Sequence, residues 1–198
     1  GLENAKLFAQ AGKDAMKVIQ NNVKSYGINC DFEVKNAQLF ALDEKQADEL
    51  DDMVKAAAQV HHQMKYTNRI NFPIPFTKAV EIAEQAQFHP LKYIKALAEE
   101  YTNLGGVILE GCICKNHEEH EGSIMVETSK GKFTAQQLVY ATHIPPGINK
   151  LHFTNAPYRS YVLACTLRDD NYPDALGYDL EDPYHYYRTH IVNGVKLL

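Results

Sequence analysis

Residues 87–146 read QFHPLKYIKALAEEYTNLGGVILEGCICKNHEEHEGSIMVETSKGKFTAQQLVYATHIPP. Pro90 suits a first helical turn, where a missing N–H costs nothing, and Leu91, Ile94, Leu97 and Ala98 follow at helical spacing. Gly105 and Gly106 end that helix, because glycine enters the left-handed C-cap conformation without strain. Val107-Ile108-Leu109 is a short apolar run that reads as a buried strand. Ser123 to Glu127 and Lys132 to Thr134 read as two short strands around Ser129-Lys130-Gly131. Leu138 to Thr142 is a last apolar strand, running into His143 and a proline pair.

Working outward towards the N-terminus, Leu7, Phe8, Ala11, Met16, Ile19, Val23 and Tyr26 share a stripe, and Gly27 closes the helix they define. Cys30 to Leu42 alternates in two halves about Lys35-Asn36, which predicts a strand, a bend and a second strand. Asp43 caps the next helix, with Ala47, Leu50, Met53, Val54, Ala57 and Val60 inward. Pro73 and Pro75 hold their predecessors extended. The predicted helices are 5–26, 44–64, 78–86 and 90–103. Towards the C-terminus, strands are predicted over Pro157 to Leu167, Leu176 to Leu180 and Tyr184 to His190. Asn193-Gly194 then makes a tight hairpin turn into Val195 to Leu198. The fold class expected is α+β: a mostly antiparallel sheet of five or six strands with helices packed on one face.

The 198 residues carry a formal net charge of −5, with 45% hydrophobic and 23% charged residues. That balance is ordinary for a globular chain and offers no basic field for nucleic acid. No apolar run is long enough for a membrane span and no secretory leader is visible, so a cytoplasmic chain is expected. The four cysteines form no CxxC pair, and the expected role for them is that of small buried hydrophobes. His61 and His62 point about 100° apart on a helix and suit its C-terminal dipole better than a metal. His117 and His120, in KNHEEHEG, read as a solvated connection between strands. No metal site is expected.

Three phrases, QFHPLKYIKALA, VYATHIPP and YRSYVLA, resemble the FAD-dependent oxidoreductases of the D-amino-acid oxidase (glycine/D-amino-acid oxidase) superfamily. They are most similar to the branch whose members often carry a C-terminal Rieske domain. The resemblance implies three parts: residues 1–84 begin the substrate-binding domain, 85–147 belong to the FAD domain, and 148–198 complete the substrate-binding sheet. It implies FAD as cofactor, with Cys114 at the adenine end and Ala141, Thr142 and His143 at the turn over ribose and diphosphate. The eleven glycines make no GxGxxG turn, so the chain reads as a middle fragment, inactive alone. It opens inside a helical pattern without Met and stops inside a strand, which fits that reading.

On the substrate side, strand alternation puts Arg159, Tyr161, Leu163 and Cys165 on one face, and Tyr184, Tyr186, Arg188 and His190 on another. The resemblance implies an Arg and Tyr residues holding a substrate carboxylate; Arg188 with Tyr186 is the first choice and Arg159 with Tyr161 the second. A surface ion pair is the plain alternative for each Arg. Hydride transfer to flavin needs no protein nucleophile, and none is assigned. The implied reaction is oxidation of an amino acid or related amine, with a small-molecule partner and a homodimer covering exposed apolar surface. The alternatives are a non-catalytic α+β interaction module of the same ancestry and a flavin dehydrogenase of a hydroxy acid.

Overall fold

The structure is a computed structural model that describes residues 1–142, 153, 154, 156 and 158–198. Its elements are α1 (Leu2–Ser25), β1 (Glu33–Ala41), α2 (Glu44–Gln59), β2 (Lys65–Thr67), β3 (Lys78–Gln87), α3 (Pro90–Asn103), β4 (Cys114–His120), β5 (Ser123–Thr128), β6 (Gly131–Ala135), β7 (Leu176–Asp179), β8 (Tyr186–Tyr187), β9 (His190–Val192) and β10 (Val195–Leu197). The chain divides into two compact units, residues 1–100 with 163–198, and residues 101–162. Among the described residues no helix is long and apolar enough to cross a membrane.

The first unit is built on a five-stranded sheet in the order β2-β3-β1-β7-β8. All neighbours are antiparallel except β1 and β7, where Ala37 to Phe40 run parallel to Leu176 to Asp179. This is the α+β class, with a mostly antiparallel sheet. The pleat sends Leu39, Ala41 and Val80 to one face, where Ala47 and Leu50 of α2 bury them. Asp43 starts α2 by accepting the Gln46 N–H at 2.8 Å, so one of the orphan donors of the first turn is satisfied. Phe40 and Ala79 point to the other face, under Phe72 and Ala175. Phe72 rests directly on Gly177, where a Cβ would lie 2.5 Å from the ring. A third cluster joins α1 to α3 through Ile28, Cys30 and Tyr93, with Ile19 and Val23 beside them. Tyr93 also accepts a hydrogen bond from Asn22 at 2.9 Å.

The bend expected at Lys35-Asn36 is a β-bulge: the register with β3 shifts between Lys35 and Ala37 while β1 continues as one strand. The Asn193-Gly194 turn closes the β9–β10 hairpin, and both residues have positive φ, 50° and 80°. That left-handed pair gives the turn its match to strand twist.

Several local expectations are corrected. Residues 78–86 form a strand, not a helix: Ala, Glu and Gln favour helix, but pairing on both edges with β1 and β2 overrides that preference. Helix 44–64 stops earlier, at Gln59, and His61 follows in the left-handed region (φ 55°). Val107, Ile108 and Leu109 are exposed and in no strand, and Leu138 to Thr142 form no strand either. An apolar run becomes a buried strand only beside a partner, and neither run has one among the described residues. Likewise, the described part of Pro157 to Leu167 is not a strand, although Cys165 bonds Leu198 in both directions, at 3.0 and 2.9 Å. Tyr184 to His190 contributes only β8 and the start of β9. KNHEEHEG is mostly strand β4, paired with β5, rather than a loop. Of the four cysteines only Cys30 is buried; Cys114 and Cys165 are exposed. In the second unit β4, β5 and β6 form a separate antiparallel sheet.

Candidate active site

Within the first unit, polar side chains converge where β7 meets β8. Asp179 ends β7 with its side chain 2% exposed, an expensive place for a carboxylate unless donors surround it. Its Oδ1 accepts from the His185 N–H at 2.8 Å and the Glu181 N–H at 3.2 Å. Its Oδ2 accepts from His185 Nδ1 at 2.8 Å and from the Tyr187 hydroxyl at 3.0 Å. Burial pushes the Asp179 carboxyl up, but the His185 backbone and ring, Tyr187 and Glu181 together hold it below the usual value. The same environment raises the Tyr187 phenol to about 12, first through burial and then through the Asp179 carboxylate. A carboxylate at Nδ1 keeps the proton on that nitrogen, so the neutral His185 ring presents Nε2 as an acceptor. That ring is about half exposed.

Three tyrosines gather on the strand face opposite Tyr187. The Tyr178 and Tyr186 rings meet edge to face at 5.0 Å, and those of Tyr184 and Tyr186 at 5.1 Å. The Tyr186 phenol is raised by its hydrogen bond with Tyr184 and then by burial; the charge of Arg188 opposes the shift. Arg188 is exposed and makes no ion pair among the described residues. Tyr184, Tyr186 and Arg188 therefore lie together. His190 turns elsewhere, towards Asp31 at 3.8 Å, and meets His89 edge on at 6.5 Å.

The second unit holds the other expected residues. Arg159 and Tyr161 are exposed, Tyr161 by 92%, and lie outside regular strands. Cys114 opens β4, and the Tyr140 phenol beside it is raised, first by burial and then by the Cys114 thiol. Tyr140 also bonds His117 Nδ1 at 2.7 Å. Cys114 is thereby brought beside the segment that leads into Ala141 and Thr142. His143 lies outside the described residues. The pyrophosphate has no glycine turn to receive it in this sequence.

The family described as FAD dependent oxidoreductase (DAO) matches residues 1–197, and the chain belongs to it. It is 26% identical over 200 residues to a Bacillus subtilis (strain 168) protein provisionally named Rieske 2Fe-2S iron-sulfur protein YhfW, covering 100% of this chain and 39% of that one. That relative represents the branch that the sequence phrases resemble. L-proline dehydrogenase from P. horikoshii superposes with a TM-score of 0.66 at 12% identity, over 93% of this chain and 52% of that one. Glycine oxidase from Geobacillus kaustophilus gives 0.53 at 16% identity, over 66% and 36%. At these identities the superpositions show the fold alone. The chain spans about two fifths of the length of the curated relatives it matches.

Sequence reasoning missed the Asp179–His185–Tyr187 network. Its signal was an acidic residue ending an otherwise apolar strand, Leu-Gly-Tyr-Asp, where burial demands partners.

Proposed function

We propose that this chain supplies the substrate side, and part of the adenosine side, of an FAD-dependent oxidoreductase that acts on an amino acid or related amine. The observation that carries this is Arg188: exposed, beside Tyr186 and Tyr184, and neutralised by no described carboxylate. A planar guanidinium grips both oxygens of a substrate carboxylate, and the neighbouring phenols add donors. Arg159 with Tyr161 is the second candidate for that task. FAD, when bound, supplies the hydride acceptor for the C–H beside the substrate nitrogen. In this reading the backbone at Cys114, Ala141, Thr142 and His143 lines the cofactor. Solved structures named for glycine, L-proline and L-amino acid chemistry share the fold, which supports an amino-acid substrate class.

The 198-residue chain by itself binds FAD weakly or not at all, since its sequence holds no GxGxxG turn for the pyrophosphate. Calorimetric titration of FAD into this chain and into the chain extended at both ends tests the proposal. Tight binding by the extended protein alone, followed by amine-dependent flavin reduction that Arg188→Lys weakens mainly through KM, is the expected result. Failure of both forms to bind FAD overturns the flavin reading in favour of an interaction module of the same ancestry.

A further inference from the structure

At the β1 bulge the sheet of the first unit opens into a cleft of about 250 Å³, whose walls include Lys35, Asn36, Gln38, Asn71, Glu81 and Asp174. We propose that this cleft binds the primary ammonium group of a small organic ligand, with Glu81 as its counter-ion. Gln38 fixes the chemistry of the floor. Its side chain is buried and its Oε1 accepts the Asn71 N–H at 2.7 Å, so its Nε2 must donate, and it does so to Glu81 Oε2 at 3.3 Å. Asn36 Nδ2 donates to Glu81 Oε1 at 3.1 Å, which leaves the Asn36 side-chain oxygen as an acceptor in the cleft wall. Each carboxylate oxygen can accept two hydrogens, and the described residues give each only one, from a neutral amide.

Glu81 makes no ion pair among the described residues, including with Lys65, its register partner on β2. Lys35, the cation in the cleft wall, is already bridged to Glu33 at 3.1 Å and to Asp174. With Lys65 across from Glu81, the neighbourhood sets two cations against the three carboxylates of Glu33, Glu81 and Asp174, a negative balance that disfavours an anionic ligand. No group of three or more metal-ligating side chains exists among the described residues, which disfavours a divalent ion. An ammonium brings three N–H donors and one charge, and finds the Glu81 carboxylate and the Asn36 side-chain oxygen as acceptors. The volume lies just under the usual range for drug-sized ligands, so the ligand is small.

The site does not depend on the flavin reading, and its test needs neither flavin nor turnover. Propylammonium chloride is titrated into the ¹⁵N-labelled 198-residue chain while backbone amide signals are followed, with tetramethylammonium and potassium as cations that carry no N–H. Saturable shifts centred on Asn36, Asn71 and Glu81, at least tenfold weaker in Glu81→Gln, and at least fivefold weaker for tetramethylammonium, are expected. Unsaturable shifts spread over the acidic helix faces, equal response to potassium, or unchanged affinity in Glu81→Gln overturn the assignment. Should Glu81→Gln fail to fold, the location of the shifts and the cation comparison on the native chain decide alone.

Discussion

Replacing Asp179 by Asn keeps the side chain's shape while removing its charge and turning one acceptor oxygen into a donor. Four donors, two from the backbone and two from side chains, point at this carboxylate. The carboxylate itself is almost fully closed to water, so of the donors left facing an NH₂ group only the half-exposed His185 ring can turn to solvent. A hydrogen bond to a charged group is worth about 1.5–3 kcal/mol, and because the four share one acceptor their loss does not add; the net cost is about 3 kcal/mol. For a chain of this size that lowers the melting temperature by roughly 6–12 °C. Urea unfolding followed by far-UV circular dichroism measures the cost, and hydrogen exchange at the Glu181 and His185 amides locates it. The pH dependence gives a second reading. The folded carboxyl is held below its ordinary value, so its stabilisation is fully present above the unfolded value of about 4 and is lost as pH falls through the depressed folded value. That part of the acid limb vanishes in the variant. An Asp179→Asn protein within about 0.5 kcal/mol of the native chain, with those two amides equally protected, refutes the reasoning.

Two further outcomes follow from the same unit. Gly177→Ala drives a Cβ to 2.5 Å from the Phe72 ring and destabilises the sheet by about 1–3 kcal/mol, and Phe72→Leu in the same chain recovers part of that loss. Tyr187, raised to about 12, stays protonated in the folded state after unfolded tyrosines ionise near pH 10. The stability it contributes is intact below pH 10 and is lost as pH rises towards 12; a tyrosinate absorbance titration should lose a late-titrating phenol in Tyr187→Phe.

Much of the first unit was legible in the sequence because its signals are local. Asp43 announces α2, the Lys35-Asn36 interruption marks the bulge, and Asn193-Gly194 encodes its hairpin. What misled was apolar content read without knowledge of a partner. Val107-Ile108-Leu109 and Leu138 to Thr142 look like core strands, yet a strand requires a neighbour to take its N–H and C=O groups. The segment 78–86 erred the opposite way: its helix-forming residues yield to two flanking strands that lie far off in sequence or across a turn. At the candidate site, alternation over Tyr184 to His190 expected four residues on one face; Tyr184, Tyr186 and Arg188 lie together although only Tyr186 and Tyr187 of that stretch are strand, and His190 turns to Asp31. Asp179 showed only as an acid ending an apolar strand, and its partners could not be named because they come from a loop that folds back by six residues. Glu81 was invisible because the bulge that opens its cleft shows only as an irregularity in β1.

The parallel pairing of β1 with β7 also bears on synthesis. On the side away from β3, residues 37–40 find their ladder partner at residues 176–179, and the whole second unit is translated in between. At about 5–20 residues per second, a ribosome leaves that side of β1 without a ladder partner for roughly 7–28 s. During that interval the nascent chain carries a bare sheet edge of Ala37 to Phe40, a template for pairing with a neighbouring polypeptide. Such an edge makes this segment a point where a holding chaperone, or slow delivery of β7, decides between native closure and aggregation.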